Sequence, residues 1–159
     1  MKSAGLLLHR DRGAAAGAGL EVWIAHMGGP FWARKQQHAW SIPKGEFGDD
    51  EEPLVAALRE FAEEVGVPAP TADYVLLGEF RQRSGKVVTV FAGDAPEFEV
   101  DAVRSNTFEL EWPPHSGRMQ RFPEIDEGHW MPIDAARPLL VTGQVAALDA
   151  LVERLSASA

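Results

Sequence analysis

Cysteine is absent from this 159-residue chain. Its absence excludes disulfides, thiolate metal sites and cysteine nucleophiles. Long apolar runs are also lacking. The N-terminal run from Ala4 to Leu8 is too short for a signal-peptide core or a membrane span, so the expectation is a cytoplasmic protein with no membrane partner. Positive charge is scarce, with 15 Lys and Arg against 24 Asp and Glu and a net charge of -9. That balance argues against a nucleic-acid polymer as partner, because such a ligand seeks a basic surface. It leaves room for a small anionic ligand, since a bound divalent cation reverses the local field.

What is present is ordinary for a folded domain: 45% hydrophobic and 25% charged residues. No linker or repeat divides the chain, and the reading is a single domain over 1–156 with a disordered tail at 157–159. Strands are expected at 3–9, 20–27, 74–80 and 86–93, with shorter ones at 107–112 and 129–133. A Gly/Ala-rich turn should join the first two. Residues 28–44 and 113–128 read as loops, the first rich in aromatics and cations. A last helix is expected over 143–155, burying Val145, Leu148, Val152 and Leu155, and Asp134 is the expected cap of a short segment before it. Strands interleaved with helices make a mixed sheet covered by helices, an α/β class.

The stretch "GEFGDDEEPLVAALREFAEEVGV", residues 45–67, carries most of the chemistry. A helix over 52–65 would place Leu54, Leu58, Phe61 and Val65 on one stripe. Asp49 or Asp50 could cap it, Pro53 suits its first turn, and Gly66 suits the left-handed position past its end. Glu60, Glu63 and Glu64 share the opposite side as neighbours in the last turns. There they repel one another and face the negative end of the helix dipole. A local rule broken without evident compensation marks a candidate site.

The spacing Gly45, Glu51, Arg59, Glu60, Glu63, Glu64, Gly66 resembles the Nudix box, the signature of hydrolases acting on nucleoside diphosphates linked to another group. At about 7% usage per letter, a chance match is on the order of 1 in 10⁸ per start position. Phe61 stands where the family usually has an aliphatic residue. The resemblance implies an α/β/α sandwich with a mixed central sheet. It implies Mg²⁺ as cofactor, with Mn²⁺ able to substitute, held by Glu60, Glu63, Glu64 and the Gly45 carbonyl. It also implies a further acid from a later loop: Glu124 in "FPEIDEGHW", with Glu127 in reserve ahead of Glu109 and Glu111. Hard oxygen ligands and a divalent ion suit attack of water on a phosphoanhydride.

For Arg59 two arrangements stay open: an orienting pair with Glu51 across a folded-back loop, favoured, or an i, i+4 pair with Glu63. Lys44, Arg81 and Arg83 are candidate phosphate contacts. Trp40 is a candidate substrate-binding aromatic or else part of the core, with Phe31, Trp32 and Trp112 as further stacking candidates, one of the four being expected to stack a base. The lead-in "WSIPKGE" is similar to that of dinucleoside and inositol polyphosphate hydrolases. The expected substrate is therefore a nucleoside or dinucleoside polyphosphate. Where many dinucleoside polyphosphate members carry a tyrosine downstream of the box, this chain has Ser84. The alternatives are a sanitising pyrophosphatase for oxidised nucleoside triphosphates and a non-catalytic nucleotide sensor. A homodimer is compatible with this reading. Specificity is expected to reside in 104–121.

Overall fold

The computed structural model describes residues 2–13 and 19–158. The tip of the expected Gly/Ala turn, 14–18, lies outside the described residues. Nine strands and three α-helices appear among them. They are β1 (Lys2–Asp11), β2 (Leu20–Met27), β3 (Trp40–Ser41), β4 (Lys44–Glu46), α1 (Pro53–Val65), β5 (Val75–Arg81), β6 (Val87–Asp94), β7 (Thr107–Glu111), β8 (Met119–Pro123), β9 (Ile125–Pro132), α2 (Ile133–Ala136) and α3 (Val145–Ser158).

The central sheet is mixed. β1 pairs parallel to β6 and antiparallel to β2, and β5 closes one edge against β6. Helices cover both faces, which explains why β1 reads as an uninterrupted apolar run rather than an alternating one. Leu7, Val22, Ile24, Val88 and Val90 point to one face and pack with Leu140, Leu148 and Leu151. Leu6, Leu8, Trp23 and Ala25 point to the other and pack with Phe61 and Val65 of α1. The expected α/β sandwich is the observed fold.

One feature of the sheet creates the site. β1 and β2 pair from Asp11–Leu20 to Leu8–Trp23 and then diverge. The lead-in enters the gap: Trp40–Ser41 pairs with Ala25–His26 of β2, and Lys44–Glu46 pairs with Ser3–Gly5 of β1. Leu6 N–H donates to the Pro43 carbonyl between them at 3.1 Å. A segment expected as plain loop is thus two short strands held on both sides. Buried Gln144 completes the support: its side-chain oxygen accepts from Ile42 N–H at 2.8 Å, and its amide donates to Ser41 Oγ at 3.0 Å.

Other expectations need correction. α1 begins at Pro53 with Glu52 in the capping position and no side-chain cap bond, so neither Asp49 nor Asp50 caps it. Ala56 and Ala57 join Phe61 and Val65 in the fully buried set, with Leu54 and Leu58 packed partly buried beside them. Asp134 lies in the first turn of α2 behind Pro132 and is not its cap. α3 turns Ala147, Leu148 and Leu151 inward and leaves Val152 38% exposed, so its buried stripe continues from Leu148 by a step of three residues and not by the expected step of four. α3 also runs through Ala157 and Ser158, where a disordered tail was expected; Ala159 lies outside the described residues. Met119–Pro123, expected as loop, is a strand paired with β7 in a separate two-stranded hairpin, and β9 starts at Ile125.

Candidate active site

The helix C-terminus holds the acidic cluster in place through backbone bonds. Gly66 adopts φ 92°, and its N–H donates to the Ala62 carbonyl. Arg104 N–H donates to the Val65 carbonyl at 2.9 Å, and Asn106 N–H to the Glu63 carbonyl at 3.0 Å. These donors answer carbonyls that the helix leaves unpaired. They also bring the segment before β7 against the glutamate-bearing turns. Asn106 then accepts from Glu124 N–H at 2.9 Å, and the Glu124 carbonyl accepts from Gly28 N–H at 2.9 Å. Glu124 is thereby fixed opposite α1.

Between these elements lies a polar cavity of about 440 Å³, and Lys44, Gly45, Glu60, Glu63, Glu64 and Glu124 all line it. Ser3, Glu46, Lys86, Asn106 and Thr107 complete the wall. Sequence reading singled out none of these five by itself, although Asn106 and Thr107 fall in the 104–121 segment expected to carry specificity. Ser3 and Lys86 arrive through the parallel β1–β6 register, which no local pattern reveals. Lys86 Nζ lies 3.4 Å from Glu46 Oε1.

Gly45 leaves room for the observed position of Glu60. A Cβ there would sit 1.9 Å from Glu60 Oε2, so only glycine lets this carboxylate lie against the backbone of β4.

Arg59 resolves its two options by taking both. Its Nε and Nη2 donate to the Glu51 carboxylate at 2.8 Å each. Its Nη1 reaches Glu60 at 2.9 Å and Glu63 at 3.2 Å. The bidentate bond to Arg59 lowers the Glu51 carboxyl from its ordinary range and raises the guanidinium. Burial pushes the Glu60 carboxyl upward despite Arg59. Glu64 is pushed further, to about 8, by burial, with Glu60 and Glu124 adding repulsion and Lys44 opposing. Lys44 N–H lies 3.4 Å from Glu64 Oε2.

The cluster is therefore divided: Arg59 holds Glu60 and Glu63, while Glu64 faces Lys44. Among the described residues no three acidic or histidine side chains form a ready-made cation cage. The donor set nevertheless fits a hard divalent ion. It consists of carboxylate oxygens around one cavity, with a buried carboxyl whose ionisation lacks sufficient positive charge. Glu60, Glu63, Glu64 and Glu124, with the Gly45 carbonyl, are the residues that could hold such an ion.

The remaining candidates fall elsewhere. Trp40 is 3% exposed, packs in the core and donates from its indole N–H to Gln36. With its ring enclosed, it has no face for a ligand, which corrects its assignment as a substrate contact. Arg81 ends β5 and Arg83 lies in the following turn; neither lines the acidic cavity. Glu111 accepts from the N–H groups of His115 and Gly117, Glu109 lies 3.5 Å from Arg121, and Glu127 lies 3.8 Å from His129. Phe31, Trp32 and Trp112 meet at a separate, largely apolar cavity of about 490 Å³.

The geometry agrees with comparisons to known proteins. A family model described as NUDIX domain matches residues 2–151. An RNA pyrophosphohydrolase of Agrobacterium fabrum is 27% identical over 131 residues, covering 71% of this chain and 69% of that protein. Among solved structures, a C. elegans Ap4A hydrolase binary complex aligns with a TM-score of 0.60 at 20% identity, covering 98% of each chain. The NUDIX domain of Shewanella oneidensis NrtR, complexed with ADP ribose, aligns with a TM-score of 0.59 at 17% identity, covering 98% of this chain and 88% of the other. These two structural likenesses speak to the fold alone.

Proposed function

Because the chain belongs to the Nudix hydrolase family, we propose that it is a Mg²⁺-dependent enzyme that cleaves a phosphoanhydride bond in a nucleoside or dinucleoside polyphosphate. The observation that carries this reading is the single cavity lined by Lys44, Gly45, Glu60, Glu63, Glu64 and Glu124. Nudix hydrolases use divalent metals, and the oxygen donors here suit Mg²⁺ or Mn²⁺. When bound, the ion supplies charge neutralisation at the phosphates and polarisation at phosphorus.

The chain's own groups do the rest. Lys44 and Lys86, which both line the cavity, offer point charges to phosphate oxygens. The Arg59–Glu51 clamp orients Glu60 and Glu63, and Gly45 leaves room for Glu60. One carboxylate of the cluster accepts the proton of the attacking water, and the bond to the leaving phosphate oxygen breaks as the new P–O bond forms. The lead-in "WSIPKGE" supports a nucleoside or dinucleoside polyphosphate, and the Ap4A hydrolase of the same fold makes Ap4A a compound to test. The RNA pyrophosphohydrolase relative adds an RNA 5′ triphosphate to the substrates worth testing.

The test is product analysis with ATP, GTP, Ap4A, ADP-ribose and a 5′-triphosphorylated RNA, with and without Mg²⁺. Turnover of at least one compound is expected. Glu63→Gln and Glu64→Gln should each reduce it by on the order of 10²–10³-fold, the scale for removing a group that stabilises developing charge. Binding without turnover of any compound would instead establish a nucleotide sensor.

A further inference from the structure

The acidic cavity is one end of a longer trough. A smaller cavity of about 170 Å³ shares Lys44, Glu64 and Glu124 with it, and shares Gly28, Trp32 and Phe108 with the apolar cavity beyond. Resting on the hydrolase reading above, we propose that the apolar cavity receives the nucleobase of the substrate. Phe31 and Trp32 form one wall and Phe108 and Trp112 of the β7–β8 hairpin the other. The substrate class is thus a base-bearing nucleotide rather than a baseless polyphosphate such as an inositol pyrophosphate.

Three observations support a built subsite. First, the two walls meet at a fixed seam. A Cβ on Gly28 would lie 2.1 Å from the Pro123 carbonyl oxygen, and one on Gly29, at φ 95°, would lie 2.9 Å from Phe108 Cζ. Second, the loop bearing Phe31 and Trp32 is tied down behind. The ring nitrogens of buried His26 contact the Lys35 carbonyl at 2.7 Å and the Asp126 carboxylate at 2.8 Å. Third, the chemistry of the trough is graded. Carboxylates and lysines line the end suited to phosphates, and the far wall is mostly ring and aliphatic carbon. A cavity of about 490 Å³ falls in the range of small-ligand sites, roughly 300–1,000 Å³. An inositol pyrophosphate carries phosphate around its whole ring and would press anionic oxygens onto Phe and Trp without partners. A base offers a flat π face to the same wall.

The experiment compares Phe31→Ala, Trp112→Ala and the unaltered protein on ATP, Ap4A and inorganic tripolyphosphate. Phe31 is 59% exposed, so its loss leaves the fold intact and guards against a Trp112 variant that fails to fold. KM for the base-bearing compounds should rise about tenfold or more, while kcat holds and handling of tripolyphosphate, as substrate or as competitor, stays the same. Unchanged KM for both nucleotides in Phe31→Ala overturns the subsite, as does an equal loss on tripolyphosphate. Quenching of tryptophan fluorescence by AMP supplies a readout that needs no turnover. It should weaken in Trp112→Phe, and equal quenching in both proteins also overturns the proposal. If the unaltered protein turns over nothing, the hydrolase reading fails, while the quenching still judges the base subsite.

Discussion

At the scale of single residues, two cations divide one acidic cluster. Arg59 satisfies Glu51, Glu60 and Glu63, and Lys44 alone faces Glu64. The consequence is visible in Glu64, whose carboxyl is raised to about 8 chiefly by burial, against about 4.3 in an unfolded chain. A raised carboxyl favours its protonated form. Its ionisation therefore costs the metal-free fold stability as pH climbs from the unfolded value through about 8. A bound cation reverses that sign, because it needs the carboxylate. Binding Mg²⁺ at pH 7 should accordingly release close to one proton from Glu64, with release fading above about pH 9 and affinity falling as pH drops. Calorimetric titrations in buffers of different ionisation enthalpy check this. Equal heats in all buffers at pH 7, or Glu64→Gln releasing as many protons as the natural protein, would count against it.

Phe61 shows why the residue scale is also where a family pattern bends. It is fully buried between Trp23, at 6.1 Å between ring centres, and Phe98, at 5.6 Å. Its aromatic partners arrive from β2 and from the segment after β6, so one helix alone does not explain the substitution of a ring for an aliphatic side chain.

At the scale of elements, the site depends on a lead-in inserted between two diverging strands. Gln144 reaches it from the turn before α3 and satisfies the buried N–H of Ile42. Gln144→Ala leaves that N–H unpaired inside the core and should cost about 1–3 kcal/mol. Urea unfolding would show this as a lower midpoint at unchanged slope. Because Ile42 and Pro43 carry Lys44 and Gly45, KM should rise in the same variant; an unchanged midpoint and KM would remove the lead-in from the account.

Legibility in the sequence follows burial. β1, β2, β5, β6 and the box helix were readable because burial marks each of them, as an unbroken apolar run in β1 and as a helical stripe in the box helix. The β7–β8 hairpin was half missed: Met119, Gln120 and Arg121 are all exposed, so no alternation marks them as strand. The lead-in strands escaped because two or three residues carry no period at all. Trp40 could be read either as a stacking aromatic or as core, and β3 turns it into the core.

Across the whole molecule, the acidic surface and the anionic ligand conflict unless positive charge is concentrated where it is needed. The cavity carries Glu46, Glu60, Glu63, Glu64 and Glu124 against Lys44 and Lys86, so the lysines leave most of that task to a bound divalent cation, which would reverse the local field. The box glutamates were legible in the sequence because they are local to one helix. Lys86 and Ser3 were not, because long-range strand pairing brings them in, and Asn106 was legible only as part of the 104–121 segment, since a backbone bond to the Glu63 carbonyl places it. Among the described residues no helix is long and apolar enough to cross a membrane.

The central claim is that Glu60, Glu63 and Glu64 gather divalent cations beside the substrate's phosphates. A Mn²⁺ titration followed by electron paramagnetic resonance, on the natural protein and on a variant with all three changed to Gln, tests it most directly. The account predicts that the natural protein removes Mn²⁺ from the free-ion signal and that the variant leaves the signal at its protein-free level; equal uptake by both would contradict it.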